Sequence, residues 1–284
     1  MSTETEKKNP YNFNNKLITK EFVESILEQY DIYEITNLKI YQQAFTHKSY
    51  SITKNNLEDI IDKPEGGLEL MENDLERIEF LGDSVLGLVI AKYLFERYPK
   101  QNEGFLTKLK TKLVNGEALA YFSKELGFSE YILMSRHIED KCNGRSSTNI
   151  LEDVFEAFIG ALFLDFNNIE VEDSNKVYTD FYSGVGFQIC ERFIINLIEE
   201  KVNFEDLINN DTNYKDQLNK YYHATHHMSV TYKHISCEVV DNHKSFMVNV
   251  IGFQDEILSS GEGKTKKKAE QNASKNALVN LKLI

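Results

Sequence analysis

Two stretches constrain this chain more than any others. ERIEFLGDSVLG at residues 76–87 and ILEDVFEAFIGALFLD at residues 150–165 are apolar at helical spacing, yet each carries a pair of carboxylates. Glu79 and Asp83 stand four apart, Asp153 and Glu156 three apart. On an α-helix both spacings put the side chains on one face. Carboxylates set among Ile78, Phe80, Leu81, Val85, Val154, Phe155 and Phe158 are costly without a cation or hydrogen-bond donors. A fold that brings the two helices together makes an all-oxygen site for a hard divalent cation, Mg2+ above all. Such sites serve phosphate chemistry.

The 284 residues suffice for one large domain or two smaller ones, and a hydrophobic fraction of 41% supports real cores. Cys142, Cys190 and Cys237 form no CxxC or Cys/His spacing, so a zinc site is not expected. An odd, sparse cysteine count fits a reducing compartment. The first residues, MSTETEKKNPYNFNNK, lack the apolar core of a signal peptide, and no apolar run reaches a membrane span. The expectation is a soluble cytoplasmic protein with no membrane partner. The net charge of −13 argues against a simple nucleic-acid binder, but its distribution is uneven. Residues 211–284 carry +2 and residues 1–210 carry −15, and His223, His226, His227, His234 and His243 lie in the former. An acidic catalytic body and a more basic docking module follow.

The periodicity changes at the same place. Residues 1–18 read as a loose polar tail. Residues 19–200 read as an all-helical domain, with stretches such as ERIEFLGDSVLGLVIAKYLFERY, FLTKLKTKLVNGEALAYFSKEL and FQICERFIINLIEEKV apolar at threes and fours. Pro99 closes the first of these and Gly127 stops the second. Two insertions interrupt the domain, at 51–75 and 167–186. The first holds seven acids and one lysine between residues 57 and 74 and reads as a solvated surface segment. Residues 201–212 read as a polar linker with room for one helical turn. From 213 to 284 a helix precedes three alternating, β-branched stretches (VTYKHISCEVV, SFMVNVIGF, EILSSGEG) and an Ala- and Lys-rich helix. That order, α-β-β-β-α, makes an α+β domain with one helical layer on one sheet.

These motifs resemble the ribonuclease III family in its simple form, one nuclease domain followed by one double-stranded-RNA-binding domain. ERIEFLGDSVL is similar to the family's ERLEFLGDAVL, and EDVFEAFIGALFLD to ADTFEAxIGAxYLD. AFTHKSY resembles ALTHxSY, and NEGFLTKLKTKLVNGEALA resembles EGxLxxLRxxLVxxxxLA. GEGKTKKKAEQNASKNAL resembles the end of the RNA-binding domain, GxGxSKKxAEQxAAxxAL. The resemblance spans nearly all of residues 20–284. Glu152 departs from it, standing where bacterial members have a small residue, and the insertion before the signature helix is longer than theirs. The Asn-, Lys- and Ile-rich composition resembles that of proteins from AT-rich genomes, including giant DNA viruses; a viral member would act in the host cytoplasm.

The resemblance implies an endoribonuclease that hydrolyses double-stranded RNA with Mg2+, or Mn2+ as a substitute. Its products would carry 5′-phosphate and 3′-hydroxyl ends with two-nucleotide 3′ overhangs. Glu79, Asp83, Asp153 and Glu156 match the family's catalytic, metal-binding carboxylates. A cation there acidifies its water and offsets charge on the leaving oxygen. Glu76 and Glu103 match acids in supporting or dimer-contact roles, the alternative for each being a surface acid at a helix start. His47 is expected to be a structural histidine rather than a general base. Phe80 matches an aromatic contact across a homodimer, the alternative being ordinary core packing. In the C-terminal domain Lys264, Lys266, Lys267 and Lys268 would meet phosphates at a helix N-terminus. Asn219 would reach a 2′-hydroxyl, and either His243, on a loop one residue short, or Asn242 in its place would contact the RNA. Two alternatives remain at this stage: a catalytically silent protein that sequesters duplex RNA, and a helical interaction module without RNA. Retention of all four carboxylates disfavours the first, and the second leaves the C-terminal domain unexplained.

Overall fold

In the computed structural model the described residues are 8–52, 60–167, 184–209, 213–240 and 243–284. The chain divides into two compact units, residues 1–203 and 204–284.

The first unit is helical: α1 (Lys20–Leu27), α2 (Leu38–Ala44), α3 (Glu76–Arg97), α4 (Glu103–Leu113), α5 (Gly116–Glu125), α6 (Arg136–Cys142), α7 (Thr148–Asn167) and α8 (Gly186–Lys201). α7 is its axle. Twelve of its residues are buried, and α2, α3, α5 and α8 pack around it. Phe158, fully buried at its centre, meets the rings of Tyr41, Phe45, Phe128 and Phe193. Near the end of α7, Asp165 is buried but fully engaged. It accepts from the backbone N–H groups of Thr36 and Asn37 and from the Tyr41 hydroxyl. A buried carboxylate with that many donors locks the start of α2 onto α7.

Two expectations need correcting here. The tail is not loose from Lys8 onward, because Tyr11, Asn12, Asn15 and Ile18 are buried. The Asn12 and Asn15 amides donate to the Met134 carbonyl, and Met134 N–H donates back to Asn15. Side-chain amides substitute for strand pairing, and hydropathy does not reveal that. The first insertion is not simply solvated either. Ile60 and Leu70 join Tyr11, Tyr50 and Leu133 in a small apolar cluster, so the described part of residues 51–75 carries its own core. Residues 53–59 and 168–183, and with them most of the second insertion, lie outside the described residues.

The stretch FLTKLKTKLVNGEALAYFSKEL forms two helices rather than one. Asn115 ends α4 by donating to the Thr111 and Lys112 carbonyls and starts α5 by accepting from Ala118 N–H. A side chain that satisfies both helix ends makes a sharp break cheap. The short, mostly polar α6 has no strong periodicity and was not foreseen.

The second unit comprises α9 (Phe204–Asn209), α10 (Tyr214–His226), β1 (Thr231–Val240), β2 (His243–Ile251), β3 (Ile257–Gly263) and α11 (Lys266–Asn280). The expected α-β-β-β-α order holds for α10 onward. The strands form an antiparallel sheet in the order β1-β2-β3, with a register shift in β1 between His234 and Ser236. Val250 packs with Leu218, Tyr222, Ala273, Ala277 and Leu278, so one sheet face is covered by α10 and α11. The unit boundary at 203/204 puts α9, inside the expected linker, with the second unit.

Candidate active site

The four carboxylates are brought together by the packing of α3 on α7. The helices approach unusually closely because of two glycines. A methyl group on Gly82 would overlap the carbonyl oxygen of Glu156, and one on Gly160 would overlap that of Ile78. Without side chains at the crossing, the two backbones touch, and the flanking acids of the two helices come within electrostatic reach of one another. These glycines lie in both sequence motifs, but their role as contact points depends on a partner helix that no single stretch reveals.

The electrostatics show the convergence. Glu156 is pushed up to about 8, first by burial and then by Asp83, Glu152, Glu79 and Asp153. Glu79 is pushed up to about 7 by burial, Asp153, Glu76 and Glu152, against a pull from Lys48. Burial also raises Asp153. Residues from the two motifs therefore act on one another's charge at short range. Asp83 is the more exposed member. Glu152, the departure noted above, belongs to the group: burial, Asp153 and Asp83 all push it up.

Beside the acids lies a cavity of about 260 Å³ lined by His47, Lys48, Leu75, Glu76, Glu79 and Asp153. Its rim is the THKSY turn. Leu75 N–H donates to the Thr46 carbonyl, His47 N–H to that of Leu133 and Met71 N–H to that of Tyr50, so the turn is fastened to the start of α3. Buried Asp74, which the sequence reading passed over, completes the joint by accepting from Glu76 N–H and the Ser51 hydroxyl. His47 Nδ1 accepts from Ser49 N–H and meets the Ser49 hydroxyl at 2.8 Å. Burial and the neighbouring Lys48 charge pull His47 below its ordinary value. It is a neutral, turn-forming ring, as a structural histidine would be.

Among the described residues no three His, Cys, Asp or Glu side chains are gathered, as they stand, tightly enough to hold one ion. The donor set still fits a divalent cation. Every candidate ligand is a hard oxygen, and two of the acids are destabilised in their charged form by burial and like charge. Small side-chain movements toward a cation would relieve both penalties.

The other candidates fall in different places. Glu76 joins the acids and pairs with Lys48. Glu103 does not: at the start of α4 it accepts from the Thr107 hydroxyl and does not figure among the charges acting on the other acids. Phe80 is 78% exposed, so the core-packing alternative is excluded. Leu88 and Phe95 continue the same exposed side of α3.

In the second unit Lys264, Lys266, Lys267 and Lys268 are all exposed, the last three in the first turn of α11. Thr265 caps that turn by accepting from Lys268 N–H. The Asn219 carbonyl oxygen accepts from Val230 N–H, so this side chain ties α10 to the start of β1. His243 begins β2, opposite Val240; its side chain and Asn242 lie outside the described residues.

Comparison with known proteins gives the family. The Ribonuclease III domain family matches residues 76–167, which hold all four acids, and the Double-stranded RNA binding motif matches residues 214–281. A ribonuclease 3 of Staphylococcus aureus is 35% identical over 87% of this chain and 88% of its own length. The chain belongs to the ribonuclease III family. A probable ribonuclease 3 of Acanthamoeba polyphaga mimivirus is 32% identical over 98% of this chain, which spans 49% of that longer protein. The nuclease domain of a Campylobacter jejuni ribonuclease III, described with a region involved in dimer formation, is 31% identical over 62% of this chain and 95% of its own length, with a TM-score of 0.45. Ribonuclease III membership supports the endoribonuclease class expected from the motifs. Among the described residues no helix is long and apolar enough to cross a membrane.

Proposed function

We propose that this ribonuclease III relative is a divalent-metal-dependent endoribonuclease acting on double-stranded RNA as a homodimer. One observation carries the reading: two acid pairs from distant motifs share one electrostatic neighbourhood, on a chain whose other unit matches a duplex-RNA-binding motif. Glu79, Asp83, Asp153 and Glu156 would hold Mg2+ or Mn2+. The bound cation supplies a more acidic water and compensates charge on the phosphate. The chain's own residues do the rest. α3 and α7, in backbone contact, hold the carboxylates on rigid elements. The THKSY turn and Asp74 fix the approach to them.

The lysines of the α11 first turn would take duplex phosphates, aided by the free N–H groups of a helix start. Sequence-independent docking suits recognition of A-form shape. The exposed Phe80, Leu88 and Phe95 of α3 supply an apolar strip for a second copy. Two such copies would cut both strands, with 5′-phosphate and 3′-hydroxyl ends and two-nucleotide 3′ overhangs. Three free cysteines suit action in a reducing cytoplasm.

The test is long duplex RNA incubated with and without Mg2+. Short duplexes with those ends, formed only with metal and lost in Glu156→Gln, are the expected result. Retarded but intact RNA under all conditions would replace the enzyme by a sequestering protein.

A further inference from the structure

Among the described residues Lys48 is a cation set beside the acid group. Lys48 lies on the short turn after His47, with its ammonium 3.1 Å from the Glu76 carboxylate. It lines the same cavity as Glu79 and Asp153, one residue from α3 and one from α7. The turn that carries it is pinned on both sides by the backbone bonds of Thr46, His47 and Tyr50, and by the His47 cap on Ser49. The backbone from which the lysine springs is therefore fixed at the edge of the cavity, and its ammonium is directed by Glu76. Its pair with Glu76 is about half exposed, at 57% and 40%. A pair so wet contributes little to stability by itself, about 0–1 kcal/mol. Its placement matters more than its strength.

We infer that Lys48 is a positioning residue for the metal centre: a built-in counter-charge that holds Glu76 at the rim, keeps the acids assembled without a divalent ion, and weakens cation binding on its side of the cavity. This rests on the proposed metal-dependent reading of the same site. The electrostatics run in the same direction, since the Lys48 charge opposes the upward push on Glu79 and Asp153. A like charge lining the cavity that an arriving cation enters repels it, and removing that charge favours loading. A lysine that touches only substrate phosphate, too far from the ion to act on it, would leave metal binding in the absence of RNA unchanged.

Three full-length proteins decide the matter: wild type, Lys48→Met and Lys48→Arg. Lys48→Met keeps the chain's shape without the charge. Mn2+ titration by calorimetry, with no RNA present, is expected to show roughly three- to tenfold tighter binding for Lys48→Met and a wild-type value for Lys48→Arg. Thermal melts in chelator should show Lys48→Met less stable than wild type, and Mn2+ should raise its midpoint by more. Cleavage would then need less metal, with the KM for RNA unchanged. Unchanged or weaker Mn2+ binding in Lys48→Met overturns the inference; a raised KM for RNA with unchanged Mn2+ binding assigns Lys48 to the substrate. If wild type binds no Mn2+, or binds it equally well after Glu156→Gln, the metal-site reading itself fails, which is a separate result.

Discussion

The two units handle charge in opposite ways. In the first, carboxylates of like sign are half-buried on helices whose backbones touch, and burial pushes Glu79 and Glu156 far above the ordinary carboxylate range. In the second, lysines of like sign stand in open solvent at the first turn of α11, where water screens them. The proposed cation site is thus built under tension and needs a rigid frame. The proposed phosphate-docking surface is built without tension and needs only a correctly placed helix end. Changes to the frame should therefore dominate in the first unit, and changes to charge number in the second.

The sharpest way to break that contrast is to separate the helices. Gly82→Val should cost the nuclease unit about 3 kcal/mol, because a side chain there has only main chain to displace. By calorimetry its transition should fall on the order of 10 °C, while the RNA-binding unit's transition stays. Equal losses in both transitions would show that the units are not independently stabilised.

Glu156→Gln should lower single-turnover cleavage by at least about a hundredfold, a barrier increase of about 2.7 kcal/mol, and leave duplex binding intact. The same change should stabilise the metal-free protein. A carboxyl raised from 4.5 to about 8 binds a proton more tightly in the folded state. The folded wild type thus loses stability as pH rises through that window, and glutamine does not. Melts in chelator at pH 5 and pH 8.5 should coincide for the two proteins at the lower pH and diverge at the higher. A variant no more stable than wild type at pH 8.5 would remove the tension from the first unit.

Replacing Lys266, Lys267 and Lys268 together by Ala should weaken duplex-RNA binding roughly tenfold or more near physiological salt, and flatten its salt dependence by about two to three in log–log slope. Mn2+ affinity should not move. Phe80→Ala should shift the protein from dimer to monomer in sedimentation and lower the melting midpoint only by the lost association, with the helical circular dichroism of each copy unchanged, because Phe80 is 78% exposed in the single chain. Smallest of all, Glu103→Gln should alter Mn2+ affinity by less than about twofold, since Glu103 does not figure among the charges acting on the other acids.

What could be read from the sequence was local. Glu79, Asp83, Asp153 and Glu156 announced themselves because charged residues inside apolar helical runs violate a short-range pattern. The three strands and two helices of the C-terminal unit followed from alternation and turn residues. What escaped was long-range or carried by polar side chains. Asn12 and Asn15 bind the N-terminal segment through amides that no hydropathy window scores. Asn115 splits a helix that its apolar spacing would continue. Asp74 and Lys48 acquire their roles only when a distant turn folds against α3. Asn219 also ties α10 to the start of β1 by accepting from Val230 N–H, a structural role that its place in the sequence does not show.

The contact at Gly82 and Gly160 carries a wider consequence. Because main chain meets main chain there, the gauge between the two acid pairs is set by peptide geometry alone. Substitutions elsewhere in the core can loosen or tighten the surroundings without resizing that gap. The jaws keep one fixed bite, and variation at this site must enter through the turns beside it, such as THKSY.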